Sequence, residues 1–293
     1  MTHKPGELLR EALAEEKPLQ IVGTINAFSA IMAEKAGFRA VYLSGAGVAN
    51  ACFGLPDLGM TTLTELAEEA RRITGASSLP LIADVDTGWG GAFMIGRTVR
   101  EMNRAGVAAI HIEDQVAAKR CGQRPGKKVV SPQEMTDRIK AAVDAKSAEF
   151  VVIARTDAVA LEGIDASIER ACLYREAGAE MIFPEALSTI GDYGRFTAAV
   201  DVPVLANITE FGVTPLFTLD ELLQAGVGAV LYPLSAFRAM NAAALKVYRS
   251  IRSSGTQREV LEMMQTREEL YDFLNYYDYE NKLDALFKDE KSK

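Results

Sequence analysis

Residues 105–114 read AGVAAIHIED, and this stretch decides the fold because its order recurs along the chain. An Ala-Gly pair ends a helical pattern, and a short β-rich run follows. The same order stands at Ala36-Gly37 before AVYLSG, Ala177-Gly178 before EMIFPEA and Ala225-Gly226 before GAVLYPL. A glycine just past a helix supplies its left-handed cap, and the run after it fits a buried parallel strand. Between these units lie Gln20–Asn26, Leu81–Asp86, Phe150–Asp157 and Val204–Thr209, which bring the strand candidates to eight. Helical patterns separate them at Thr64–Ile73, Gly96–Arg104, Pro132–Lys146, Asp165–Glu176, Gly191–Ala199 and Asp220–Gln224. Strands alternating with helices in this number predict an α/β fold, a closed (β/α)8 TIM-type barrel rather than an open sheet.

The length, 293 residues, suits a single barrel domain over 1–293. Residues 1–19 form an N-terminal helical segment around Glu7–Lys17, and a charged, tyrosine-rich helical tail fills 236–293, interrupted near Ser253–Thr256. A barrel needs only one helix after its eighth strand, so the surplus is expected to cover another subunit. With 48% hydrophobic and 25% charged residues, the chain reads as a soluble protein with a large core, which excludes disorder. A net charge of −8 argues against a general nucleic-acid binder, which needs a basic face, though a local basic pocket stays open. No signal-like or membrane-length apolar run is present, so we expect a cytoplasmic protein with no membrane partner. Cys52, Cys121 and Cys172 are odd in number and irregularly spaced, matching neither a disulfide framework nor a zinc site.

Chemistry in α/β barrels sits at the carboxyl ends of the strands. There the sequence places Ser44-Gly45, Asp84 and Asp86, Glu113, Arg155 and Asp157, Glu185, Asn207 and Thr209, and Ser235. Loop behaviour accounts for any one of these, but much less well for all of them together. In ADVDTG, Asp84 and Asp86 stand at alternate strand positions and would share a face. With Glu113 and Asp57 they offer an oxygen-rich site for a hard cation such as Mg²⁺; the alternative is pairing with barrel arginines. The loop Gln115–Arg124 flanks Cys121 with cations, which would lower its pKa, and Gly122 would let backbone approach a ligand. His111 reads as a satisfied core histidine. Arg155, Arg238 and Arg267 suggest a small substrate with more than one carboxylate.

The segments PLQIVGTINA, AVYLSGAGVA, GLPDLG, ADVDTG, HIEDQVAAKRCG, VVIARTDA, IFPEA, LANITEFG, LYPLSAFRAMN and MQTREELY span nearly the whole chain. On them the chain resembles the isocitrate lyase and phosphoenolpyruvate mutase superfamily, and within it the 2-methylisocitrate lyases. The resemblance implies Mg²⁺-dependent cleavage of 2-methylisocitrate to pyruvate and succinate, in propionate breakdown through the methylcitrate cycle. It makes Asp84 and Asp86 the metal-site aspartates. It makes Ser44, Gly45, Ala46, Cys121, Gly122, Arg155, Glu185, Asn207, Ile208, Thr209, Arg238 and Arg267 the substrate shell. Cys121 would be the acid that protonates the departing carbon, with Tyr42, Glu113 or a metal-bound water as the base. It further implies a last helix swapped between paired subunits in a homotetramer. Two departures stand out. Gln123 replaces the histidine usual after KRCG, and Ala46 interrupts a run of glycines after Ser44. Dimethylmalate cleavage, carboxyphosphoenolpyruvate mutase chemistry and a non-catalytic metabolite-binding barrel are the competing readings.

Overall fold

The computed structural model describes residues 4–287; the first three residues of the N-terminal segment and the last six of the tail lie outside them. Among the described residues eight strands form one parallel sheet. They are β1 (Leu19–Gly23), β2 (Ala40–Leu43), β3 (Leu81–Asp84), β4 (Ala109–Glu113), β5 (Val151–Thr156), β6 (Met181–Pro184), β7 (Leu205–Asn207) and β8 (Ala229–Tyr232). The hydrogen-bonded order is β6-β5-β4-β3-β2-β1-β8-β7, and a parallel bridge between Ile182 and Val204 joins the two ends. The sheet is therefore a barrel, as expected. Every strand is shorter than its sequence pattern, because the polar residues at its carboxyl end turn into loops.

The helices are α1 (Pro5–Glu15), α2 (Ala27–Lys35), α3 (Gly45–Phe53), α4 (Leu63–Ala76), α5 (Ala92–Arg104), α6 (Pro132–Ala145), α7 (Val159–Glu176), α8 (Ile190–Ala199), α9 (Leu219–Gln224), α10 (Ser235–Ser254), α11 (Arg267–Phe273) and α12 (Tyr276–Leu286). Side chains start several of them: Thr62 with Glu65 and Thr218 with Glu221 close capping boxes on α4 and α9. The four Ala-Gly pairs do end helices, with φ of +92°, +78°, +105° and +78° at Gly37, Gly106, Gly178 and Gly226. Sequence patterning marked the end of α2 at Ala36-Gly37 but not its span, and it missed α3. AFSAIMAEK is apolar around most of its circumference and GAGVANACF is small and glycine-rich, so neither shows a helical period.

Two apolar clusters hold the barrel. Inside it, Leu19, Ile21, Ile82, Val151, Ile153, Met181, Phe183 and Leu231 pack together, joined by Leu9 and Ala12 of α1. Outside it, Val41, Leu43, Ile110, Val152 and Ile182 meet Leu66, Val99, Ile139, Tyr174 and Phe196 from the helices. Alternate strand residues thus face the two layers, and each fully buried large side chain contributes roughly 1.5–3 kcal/mol. The chain divides into two compact units, with the boundary between Phe237 and Arg238. The second unit comprises most of α10, a 3-10 turn (Arg258–Met263), α11 and α12.

Candidate active site

β3 ends on Asp84, and the chain then turns at Asp86, whose φ is +47°. Asp86 donates its N–H to Asp84 Oδ1 at 3.0 Å. The two carboxylates therefore meet through a left-handed turn and not through strand alternation, a correction to the sequence reading. Aspartate tolerates that conformation better than most residues. β4 brings Glu113 alongside. One oxygen from each of the three carboxylates lies within 4.8 Å of the others, and all three residues are buried. The N-terminus of α3 faces the same place, with Gly45 N–H donating to Asp84 Oδ2 at 3.2 Å. Ser44 caps that helix by accepting from Gly47 N–H at 3.2 Å, while Ala46, next along, is half-buried.

Three like charges so close need a cation. Lys119 supplies one, with Nζ 2.7 Å from Asp57 Oδ1 and 2.6 Å from Asp86 Oδ1. Lys119 thus stands between Asp86 and Asp57, the fourth acid named with the triad in the sequence reading. Among the described residues neither Glu113 oxygen has a hydrogen-bond partner. Burial pushes Asp86 up to about 6, with Asp84 adding to the rise and Lys119 opposing it. Burial also pushes Glu113 well up, against Arg155 and Lys119. Asp84 is held at about 2, because His111, Lys119 and Arg155 together outweigh its burial. A buried acidic triad with unbonded oxygens and one ammonium among three or four carboxylates suits a divalent cation.

His111 sits in the barrel core as expected, but it is not a bystander. Its Nε2 is 2.8 Å from the Tyr42 hydroxyl and 3.6 Å from Asp84 Oδ1. Burial lowers the imidazole to about 4, so it is neutral near pH 7, and burial likewise raises the Tyr42 phenol well above its ordinary value.

Arg155 joins three strand ends. Its Nε is 2.9 Å from Asp157 Oδ2 and 3.4 Å from Glu113 Oε2, and its Nη2 is 3.3 Å from Glu185 Oε2. Asn207 Nδ2 donates to Glu185 at 3.3 Å, and Thr209 is buried nearby on the same connection. Ile208 differs from its neighbours: its side chain packs in the outer apolar cluster, so only its backbone could meet a ligand. Ser235 donates to Glu210. Arg238 and Arg267 belong to the second unit, in the first turn of α10 and at the first position of α11.

The loop after β4 carries Cys121. Gln115 holds it from within, donating to the Arg120 carbonyl at 2.9 Å and accepting the Arg120 N–H at 3.0 Å. Lys127 Nζ reaches the Gly122 carbonyl at 2.6 Å and Asp157 Oδ1 at 3.0 Å. A Cβ on Gly122 would lie 2.2 Å from Arg155 Nη2, so only glycine lets the loop come this close. The expected fall in the Cys121 pKa does not occur. Burial pushes the thiol up; the Gln123 backbone hydrogen bond opposes this, while Asp57 and Glu185 add to the rise. Lys119 spends its charge on aspartates, leaving the thiol protonated near neutrality. Sequence reasoning missed Lys119 and Lys127 as site residues; an excess of buried acids was the available signal for both.

These features match those expected of one enzyme superfamily, and comparison with known proteins agrees. Residues 9–252 match the family described as phosphoenolpyruvate phosphomutase. The chain belongs to that family. It is 59% identical over 292 residues to a 2-methylisocitrate lyase of Shewanella oneidensis, covering 99% of this chain and 100% of that one. A crystal structure of 2,3-dimethylmalate lyase superposes with a TM-score of 0.89 at 34% identity, covering 98% of this chain and 96% of the other. A phosphonopyruvate hydrolase solved with oxalate and Mg²⁺ superposes with a TM-score of 0.84 at 28% identity, covering 97% and 99%. The resemblance to 2-methylisocitrate lyases holds, and this member of the family is a carbon–carbon lyase.

Proposed function

We propose that the enzyme cleaves 2-methylisocitrate between C2 and C3, giving pyruvate and succinate, as the methylcitrate-cycle step of propionate catabolism. The observation that carries this reading is the buried Asp84–Asp86–Glu113 triad beside Arg155, under a loop bearing a protonated thiol. The proposed cofactor is Mg²⁺, held by Asp84 and Asp86 with Glu113 beside them. When bound it supplies positive charge for the substrate's hydroxyl and carboxylate oxygens.

Ser44, Gly45, Ala46, Gly122, Arg155, Glu185, Asn207 and Thr209 are the proposed substrate shell, with the backbone of Ile208; Arg238 and Arg267 are candidates on the resemblance alone. The N-terminus of α3 and the guanidinium of Arg155 suit carboxylates. A base takes the C2 hydroxyl proton, and the C2–C3 electron pair passes to C3. The Cys121 thiol then gives its proton to C3, completing succinate. Tyr42, Glu113 and a water at the triad are the candidate bases, and Tyr42→Phe and Glu113→Gln separate them by their effect on single-turnover cleavage.

The reading includes a cytoplasmic enzyme assembled as a homotetramer of swapped dimers, with no nucleic-acid or membrane partner. All three cysteines are unpaired, and no helix among the described residues is long and apolar enough to cross a membrane. The test is pyruvate release from 2-methylisocitrate with and without Mg²⁺, against 2,3-dimethylmalate as competitor. Release that vanishes on chelation supports the assignment; faster cleavage of dimethylmalate overturns the substrate.

A further inference from the structure

The Cys121 loop leaves β4 and returns to α6 through an antiparallel base. Val116 N–H donates to the Lys128 carbonyl at 3.0 Å, and Val130 N–H to the Asp114 carbonyl at 2.8 Å. Above that base, Gln115 holds the loop to itself and Lys127 ties it to β5. Gln123 reaches further. Its Nε2 donates to Glu185 Oε1 at the end of β6, and its Oε1 accepts the Val213 N–H at 2.8 Å in the connection between β7 and α9. Both ends of one amide are thus engaged, on two different elements.

The backbone beyond β7 makes room for this. A Cβ on Gly212 would lie 2.6 Å from Gln123 Oε1 and 3.0 Å from Thr209 Cγ2, so any larger residue would drive the amide off Val213. The bridge needs a donor toward a carboxylate and an acceptor for an N–H on one side chain. An amide offers both whatever the pH, whereas an imidazole offers both only while neutral and loses its acceptor on protonation. Position 123 is where this chain departs from the histidine its resemblance predicts.

We propose that Gln123 is a positioning residue: its amide pins the Cys121 loop to Glu185 and to the segment 209–213, and so holds the thiol over the site. The catalytic part of this inference rests on the lyase reading, in which Cys121 is the acid. Gln123 acts through Cys121 and not on the reacting atoms.

The test compares Gln123→Leu, which keeps size and removes both hydrogen bonds, with Gly212→Ala, which leaves Gln123 in place but displaces it. Hydrogen exchange over 115–130 and 209–213, the iodoacetamide labelling rate of Cys121, and kcat and KM for 2-methylisocitrate are measured on the full chain with Mg²⁺. Two lost hydrogen bonds should speed exchange and labelling about tenfold or more in Gln123→Leu. Gly212→Ala should move them the same way. In both, kcat should fall more than KM rises, a split that a general loss of stability would not give. Unchanged exchange and labelling in both variants overturn the pin, and faster labelling with kcat intact overturns its part in catalysis. Should Gln123→Leu fail to fold, Gly212→Ala decides. Should the wild-type protein not cleave 2-methylisocitrate, the substrate reading falls, while exchange and labelling still decide the pin.

Discussion

Cys121 shows how far a residue's chemistry depends on where its neighbours point. Beside Lys119 and Arg120 in sequence, the thiol reads as one of lowered pKa. In the fold Lys119 turns to Asp57 and Asp86, and burial keeps the thiol protonated. A proton donor to carbon needs that state, so Cys121→Ser should retain substrate affinity and lose about 10²- to 10⁴-fold in single-turnover cleavage. Binding by calorimetry and cleavage by rapid quench check this separately; near-normal cleavage would assign the acid elsewhere. Asp84 is the complementary case. Asp84→Ala removes two accepted backbone hydrogen bonds, costing about 1–3 kcal/mol, but also relieves repulsion from Asp86. The variant should stay folded by circular dichroism while Mg²⁺-dependent turnover is lost. Full activity with unchanged metal dependence would remove Asp84 from the metal site.

At the scale of elements, α7 is bound to the back of the site by a buried polar network. Arg170 donates to the Val130 carbonyl at 2.9 Å, at the return of the Cys121 loop, and to Glu162 at 2.7 and 2.6 Å. It lies 3.6 Å from Asp114 Oδ2, which accepts from Thr156 Oγ1 at 2.7 Å and Tyr174 OH at 3.0 Å. Arg170→Met would leave Asp114 buried without its cation, so unfolding free energy should fall by about 3–5 kcal/mol in urea titration. A change under about 1 kcal/mol would show that the tie is not structural. None of this network was legible in the sequence, because its members are scattered between Asp114 and Tyr174 on three elements. By contrast α4, α6 and α9 could be read, since an N-cap precedes an amphipathic run in each.

At the scale of the whole molecule, the second unit stands apart in its burial. Of its described residues Val260 alone is buried, while Leu245, Tyr248, Ile251, Leu261, Leu283 and Leu286 are exposed. Helices without a buried face gain little from packing, so these apolar positions call for a cover. A second copy of the chain fits the proposed swap. Removing residues from Thr266 onward should then lower the solution mass measured by light scattering, and an unchanged mass would count against the swap.

The sequence by itself determined the barrel and the strand ends at which its acidic and cationic side chains gather. Strand and helix periods are local, helix-ending glycines mark the joints, and strand ends in such a barrel can only converge. It did not determine how those residues pair. The turn that brings Asp86 to Asp84, the choice of Lys119 for aspartates over the thiol, and the reach of Gln123 to Val213 depend on contacts between residues distant in the chain. The tertiary structure decided them because charge and hydrogen bonding are settled by distance and burial in space, which no local pattern encodes.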